Sequence, residues 1–227
     1  MEKAKMLFGK YKHAVPLIVY LIVYLLWFFW LEQNVTKHYR IIHMAVDDYI
    51  PFCEVFIIPY LLWFLYVSVV VVFLFFKNKT DYYRACTFLF TGMTIFLIIS
   101  TLWPNGHHLR PIVMPRDNVF SHMVSALYRT DTAQNLWPSI HVYNSLGAHF
   151  AIMRNRELEN KKGIRIGSFL LSFSIILSTM FLKQHSAFDV LTAFVLGAVM
   201  YAVVYRYDIV TVVQTGRIHK RIKPQIG

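Results

Sequence analysis

Residues 55–76 read VFIIPYLLWFLYVSVVVVFLFF, 22 positions without one Asp, Glu, Lys or Arg. A helix crossing the hydrocarbon core of a bilayer needs about 20 apolar residues, within a range of about 17–25. Lys77-Asn78-Lys79 closes the run. Two further uncharged runs flank it, residues 14–31 and 85–103, of 18 and 19 residues. Beyond them lie 166–182 and 186–205, the latter with Asp189 near its start. A shorter and more polar run, 139–153, contains His141, Asn144 and His149. The expectation is an all-α polytopic membrane protein, a six-transmembrane-helix bundle forming one domain over 1–227.

The whole-chain composition agrees. Of 227 residues, 57% belong to the AVILMFWYC set and 15% are charged, where soluble domains carry about 25% charged residues. Mean hydropathy is +0.47. These values exclude a disordered chain or a soluble repeat protein. Two cysteines exclude a disulfide scaffold.

The basic residues assign the sides. Lys and Arg concentrate in cytoplasmic loops. The N-terminal stretch carries Lys3, Lys5, Lys10 and Lys12, and the C-terminal stretch Arg206, Arg217, Lys220, Arg221 and Lys223. With both termini cytoplasmic, the number of spans is even, and 139–153 becomes the fourth of six. Seventeen Lys and Arg then fall on the inner side and six on the outer. That split accounts for the net charge of +11 without nucleic acid as a partner. The first run has no small-residue cleavage pattern at Leu31-Glu32-Gln33-Asn34 and reads as a retained anchor. Cys53 and Cys86 fall on opposite sides and are not expected to pair. Asn34-Val35-Thr36 is a glycosylation sequon on the outer side.

The outer loop 104–138 is the longest, and long loops are often functional. In it Phe120, Met123, Val124, Leu127 and Tyr128 repeat at helical spacing. They describe either a helix lying on the membrane surface or a packed loop helix.

Ionisable groups collect at the outer face in this arrangement: Arg110, His141, Lys183, His185 and Asp189. His185 and Asp189, four apart, share a helical face. A carboxylate there can accept the Nδ1 proton and leave Nε2 free as a nucleophile or base; the pair can equally be a helix cap. Pro138-Ser139 opens a helix, whose first amides and Ser hydroxyl make an anion site. His141 sits where it can give a proton to a leaving oxygen. Arg110 can grip phosphate oxygens as a fork, or lie among lipid headgroups. Lys183 can do the same, or snorkel to the interface. Together the group suits phosphoryl transfer, which needs positioning and positive charge around the phosphoryl oxygens.

These residues resemble the type 2 phosphatidic acid phosphatase superfamily of membrane phosphatases and lipid phosphotransferases. Its first motif, Lys, six residues, Arg-Pro, is matched at its end by Arg110-Pro111. Its second, Pro-Ser-Gly-His, resembles Pro138-Ser139-Ile140-His141. Its third, Ser-Arg, five residues, His, three residues, Asp, resembles Ser178-Thr179 followed by His185 and Asp189. The stretch Asp48-Tyr49-Ile50-Pro51-Phe52 is similar to an element of bacterial members, and the resemblance covers about 48 to 205. Three positions depart from the motifs: Trp103 for the Lys, Ile140 for the Gly and Thr179 for the Arg. Lys183, His107 and His108 are the candidate replacements for the missing cations. Pro-Ser-aliphatic-His is similar to the branch containing inositol phosphorylceramide synthases, which transfers a phospho-headgroup to an alcohol.

The resemblance implies that His185 attacks phosphorus, Asp189 orients it, and His141 protonates the departing oxygen. Arg110, Ser139 and Lys183 would hold the phosphoryl oxygens. It implies no cofactor and no metal; the partners are a lipid phosphate substrate and membrane lipids. The expected function is a lipid phosphate phosphatase working through a phosphohistidine at the extracytoplasmic face, in the plasma membrane. The alternatives are a lipid headgroup phosphotransferase and an inactive lipid-binding membrane protein.

Other polar and aromatic residues read as structural. His149 is a packed or hydrogen-bonded helix histidine, Asn144 and Ser145 link helices, and Tyr24, Trp27, Phe28, Phe29 and Trp30 form an interfacial belt. The basic C-terminal tail meets anionic lipid.

Overall fold

A computed structural model describes residues 11, 14–34 and 38–216. In chain order the elements are α1 (Val15–Asn34), β1 (Arg40–Ile41), α2 (Ile57–Lys77), α3 (Lys79–Leu102), β2 (Asn105–Gly106), α4 (Val119–Thr130), α5 (Ile140–Arg154), α6 (Lys162–Phe181), α7 (Ala187–Tyr201) and α8 (Ile209–Thr215). A π-helical turn, Ala202–Arg206, continues α7. Among the described residues the regular structure is helical apart from the two short strands. Among the described residues, five stretches are long and apolar enough to cross a membrane: Val15–Asn34, Glu54–Lys77, Lys79–Leu102, Lys162–Phe181 and Ala187–Arg206.

The segment expected as the fourth span forms α5. Its 15 residues reach about 22 Å at 1.5 Å per residue, short of a full span. It is nevertheless the hub of the bundle, packed against α2, α3, α6 and α7. That position explains its weak hydropathy. A helix shielded by its neighbours has no lipid to face, so Asn144 and Ser145 can be buried on it.

Large apolar side chains cover much of the surface of the bundle, while some polar ones lie inside it. Leu26, Phe64, Leu65 and Val195 are more than half exposed, while Ser100, Ser139, Ser178 and Thr179 are fully buried. Helix α1 lies at the edge, where Tyr20 stacks on Phe90 of α3 and the Trp27 indole donates to Thr101. Of the expected aromatic belt, Tyr24 is buried and Phe29 and Trp30 are exposed. Between α3 and α5 the ring of Tyr143 lies directly against the backbone of Gly92. A Cβ there would meet the Tyr143 ring at 2.0 Å.

Polar residues gather at the two ends. At one end Asn78 caps α3, Arg84 forms a fork with Asp208 at 2.9 and 2.7 Å and also pairs with Asp81. Asn155, after α5, donates to Asp81. Lys77, beside Glu157, and Arg154, on Tyr201, lie at this same end.

At the opposite end three loops are laced together. β1 pairs in parallel with β2, and Gly106 bridges to Gln134. Asn105 is buried, its Oδ1 accepting from the amides of Leu136 and Trp137. Gly106 is required: a Cβ would meet the Ala133 carbonyl at 2.5 Å.

Helix α4 turns its apolar face inward. Val124, with Phe120, Met123, Leu127 and Tyr128, packs on Ile57, Tyr60 and Leu182. It is thus a packed loop helix rather than one lying on the membrane. Cys53 and Cys86 are both free. Of the sequon, Val35 and Thr36 lie outside the described residues, as do the lysines at 3–12 and the basic residues at 217–223.

Candidate active site

The site is built on two helix N-termini. Ser186 caps α7, and Asp189, three residues on, completes a capping box by accepting from the Ser186 amide at 3.0 Å. The same oxygen, Asp189 Oδ2, lies 3.4 Å from His185 Nδ1. The helix-cap reading and the catalytic-pair reading are therefore one geometry. Ser139 caps α5, its hydroxyl accepting from the Val142 amide, and its own amide donates to the Asp189 carbonyl at 3.3 Å. That bond ties the two N-termini together. His185 Nε2 then faces His141 Nδ1 at 3.4 Å.

The turn before α7 aims His185. Lys183 adopts a left-handed conformation with φ 50°, rare for a non-glycine residue. The amides of Gln184 and His185 both donate to the Thr179 carbonyl. His107 locks the turn from outside. Its Nδ1 accepts from the Leu109 amide, so Nε2 carries the proton and donates to the Gln184 carbonyl at 2.9 Å. The His141 ring sits against two aromatics of α2, Tyr60 at 4.6 Å and Trp63 at 4.3 Å between centroids.

Asp47 is a buried strut that the sequence reading did not single out. Its carboxylate accepts from the Ser186 hydroxyl at 2.5 Å, the Ala187 amide at 2.7 Å and the Met44 amide at 2.8 Å. Burial pushes this carboxyl up, but those donors more than offset it and hold it below the usual range. The neighbouring Asp48 pairs with His43 instead.

Arg110 reaches the same turn. It donates to the carbonyls of Asp131 at 2.7 Å and Thr132 at 3.0 Å and to Gln184 Oε1, and lies over the Tyr128 ring. Burial, then the Arg110 charge, pushes His185 down to about 3, so its ring is neutral at pH 7. Burial holds His107 at about 4. Asp131 is pushed up to about 6 by burial, against the pull of Arg110.

Of the expected site residues, His185, His141, Asp189 and Arg110 converge, with Ser139 beside them. The Ser139 hydroxyl serves as an acceptor in the cap. Lys183 instead sends its ammonium to the Asp47 carbonyl at 2.8 Å. Gln184 and Asp47 were missed because neither stands in a chemical motif. The only hint of Asp47 was its place beside the Asp48–Phe52 stretch.

Away from the site, His149 bonds the Ser168 hydroxyl at 2.9 Å, the structural role expected of it. Ser145 donates to the His141 carbonyl of its own helix, not to a neighbour. Among the described residues no cluster of three His, Cys, Asp or Glu side chains could hold a metal ion. No family model, curated protein or solved structure matches this chain.

Proposed function

We propose that the chain is a six-pass membrane lipid phosphate phosphatase of the type 2 phosphatidic acid phosphatase superfamily, with both termini cytoplasmic and its site near the outer headgroups. The observation that carries this reading is the line Asp189 Oδ2, His185 Nδ1, His185 Nε2, His141 Nδ1, with 3.4 Å at each junction. The six-pass arrangement is supported by α5 lying at the centre of the bundle and by Lys77, Arg84 and Arg154 lying at the end away from the histidines.

The chemistry follows from that line. With Nδ1–H directed at Asp189, the His185 Nε2 lone pair attacks phosphorus. The bond to the lipid oxygen breaks as His141 gives that oxygen its proton. His141, now neutral, takes a proton from water, and the hydroxide displaces His185 and releases phosphate. Asp189 stabilises the charge that His185 gains. Two nitrogens 3.4 Å apart leave no room for a phosphorus atom, so the His141 ring turns aside when substrate binds.

A second reading, a lipid headgroup phosphotransferase, is favoured by the sparse positive charge. Arg110 already donates to two carbonyls and Gln184, Lys183 is held by Asp47, and Thr179 bonds its own helix. Such a site suits a singly charged phosphodiester better than a phosphomonoester dianion. Purified protein incubated in chelator with a panel of lipid phosphates and phosphodiesters, with and without an alcohol acceptor, separates the two. Turnover unchanged in His185→Ala would defeat both.

A further inference from the structure

The oxygens of a ligand at this site need donors, and two of the expected ones are turned to other tasks. Lys183 binds a carbonyl of the 45–48 turn, and the Ser139 hydroxyl accepts from an amide. Gln184 offers something different. It is 1% exposed and held at three points: its amide by Thr179, its carbonyl by His107 and its side-chain oxygen by Arg110.

The third contact fixes the amide orientation by chemistry. A guanidinium only donates, so the atom facing Arg110 is Oε1 and the other is Nε2. That Nε2 is buried and has no hydrogen-bond partner, and neither does Arg110 Nε. Buried polar atoms are almost always paired. Two orphan donors on one hydrogen-bonded pair, next in sequence to the His185 imidazole, mark a position prepared for an acceptor. The nearby carboxylate of Asp131 leaves both unmet; it lies 4.0 Å from Arg110 Nη2 and is contacted by Tyr60.

We propose that Gln184 Nε2 and Arg110 Nε together bind the oxygens of a tetrahedral oxyanion, the phosphoryl group of the substrate. The inference rests on the phosphohistidine reading of the same site and adds Gln184 to it as a ligand. Gln184 supplies a neutral donor near the turn where the motif cation is replaced by Thr179.

Orthovanadate, a tetrahedral mimic of phosphate, tests this on the full chain in detergent, with binding followed by vanadium NMR line width. Gln184→Met removes the donor with little change in volume. Gln184→Glu keeps the acceptor for Arg110 and so preserves that contact, but replaces the donor with a negative charge. The wild type is expected to bind vanadate. Gln184→Met should bind it about tenfold more weakly and Gln184→Glu about a hundredfold, the range for hydrogen bonds to charged groups. If both variants bind as the wild type does, the Gln184 assignment is overturned and the histidine reading stands. If the wild type neither binds vanadate nor turns over any lipid phosphate, both are overturned.

Discussion

The Ser186 hydroxyl donates to Asp47 Oδ2 at 2.5 Å, across 139 residues of sequence. This contact anchors the N-terminus of α7 to the loop before α2, and with it the turn that aims His185. Asp47→Ala would leave the Ser186 hydroxyl and the Ala187 and Met44 amides without their acceptor. It should lower stability by roughly 2–3 kcal/mol, read as the thermal unfolding midpoint in detergent. Asp47→Asn, which retains an acceptor oxygen, should lose less.

In the proposed chemistry His185 and Asp189 act as a unit. His185→Ala and Asp189→Asn should each reduce lipid phosphate turnover by about a hundredfold or more, while His149→Ala, whose ring bonds only Ser168, should be mild. His141→Ala removes both the acid for the departing oxygen and the base for water, so it should slow formation and release of the intermediate alike and lower turnover by a similar factor. Equal turnover in the His149 and His185 variants would remove the basis of the assignment.

Two buried histidines make the fold sensitive to acid. Unfolded imidazoles titrate near 6.5, and in the fold burial holds His107 at about 4 and His185 at about 3. The folded values are the lower ones. Their contribution is therefore complete above about 6.5 and is lost as pH falls through the folded values. The part of the melting midpoint that these two histidines set should drop between about pH 6.5 and 4, while Asp131, raised to about 6, works the other way over the same window. His107→Gln, which can make both of the ring's hydrogen bonds, should flatten that decline.

Gly92 sits where the Tyr143 ring crosses α3, and Tyr143 cannot easily yield, because its hydroxyl donates to the Phe88 carbonyl at 2.7 Å and its ring stacks on Phe88. Gly92→Ala should lower stability by about 1–3 kcal/mol, the range for overpacking a close contact. Thermal unfolding in detergent checks it, and an unchanged midpoint would contradict the described α3–α5 approach.

Sidedness can be read by labelling. In a Cys53→Ala background, Ile112→Cys, at a fully exposed position, should react with a membrane-impermeant maleimide on intact cells. Arg156→Cys should react only after permeabilisation. The reverse pattern would place the histidines on the cytoplasmic side.

Long uncharged runs such as 55–76 were legible from composition alone, because the preference of an apolar side chain for a bilayer is a local property. So was the pairing of His185 with Asp189, although it is made by the capping box, with His185 in the turn before α7, and not by a shared helical face. Helix α5 was harder to read: burial among four neighbours frees it from the hydropathy that a lipid-facing span must show. What only tertiary packing decided was which distant groups meet. Asp47 rather than Asp48 reaches α7, Lys183 turns away to the Asp47 carbonyl, and Gln184 is gripped by Arg110 and His107. These contacts join residues tens to more than a hundred positions apart, and no sequence spacing encodes them. They exist because the helices bring three loops to one end of the bundle, where each buried polar group must find a partner.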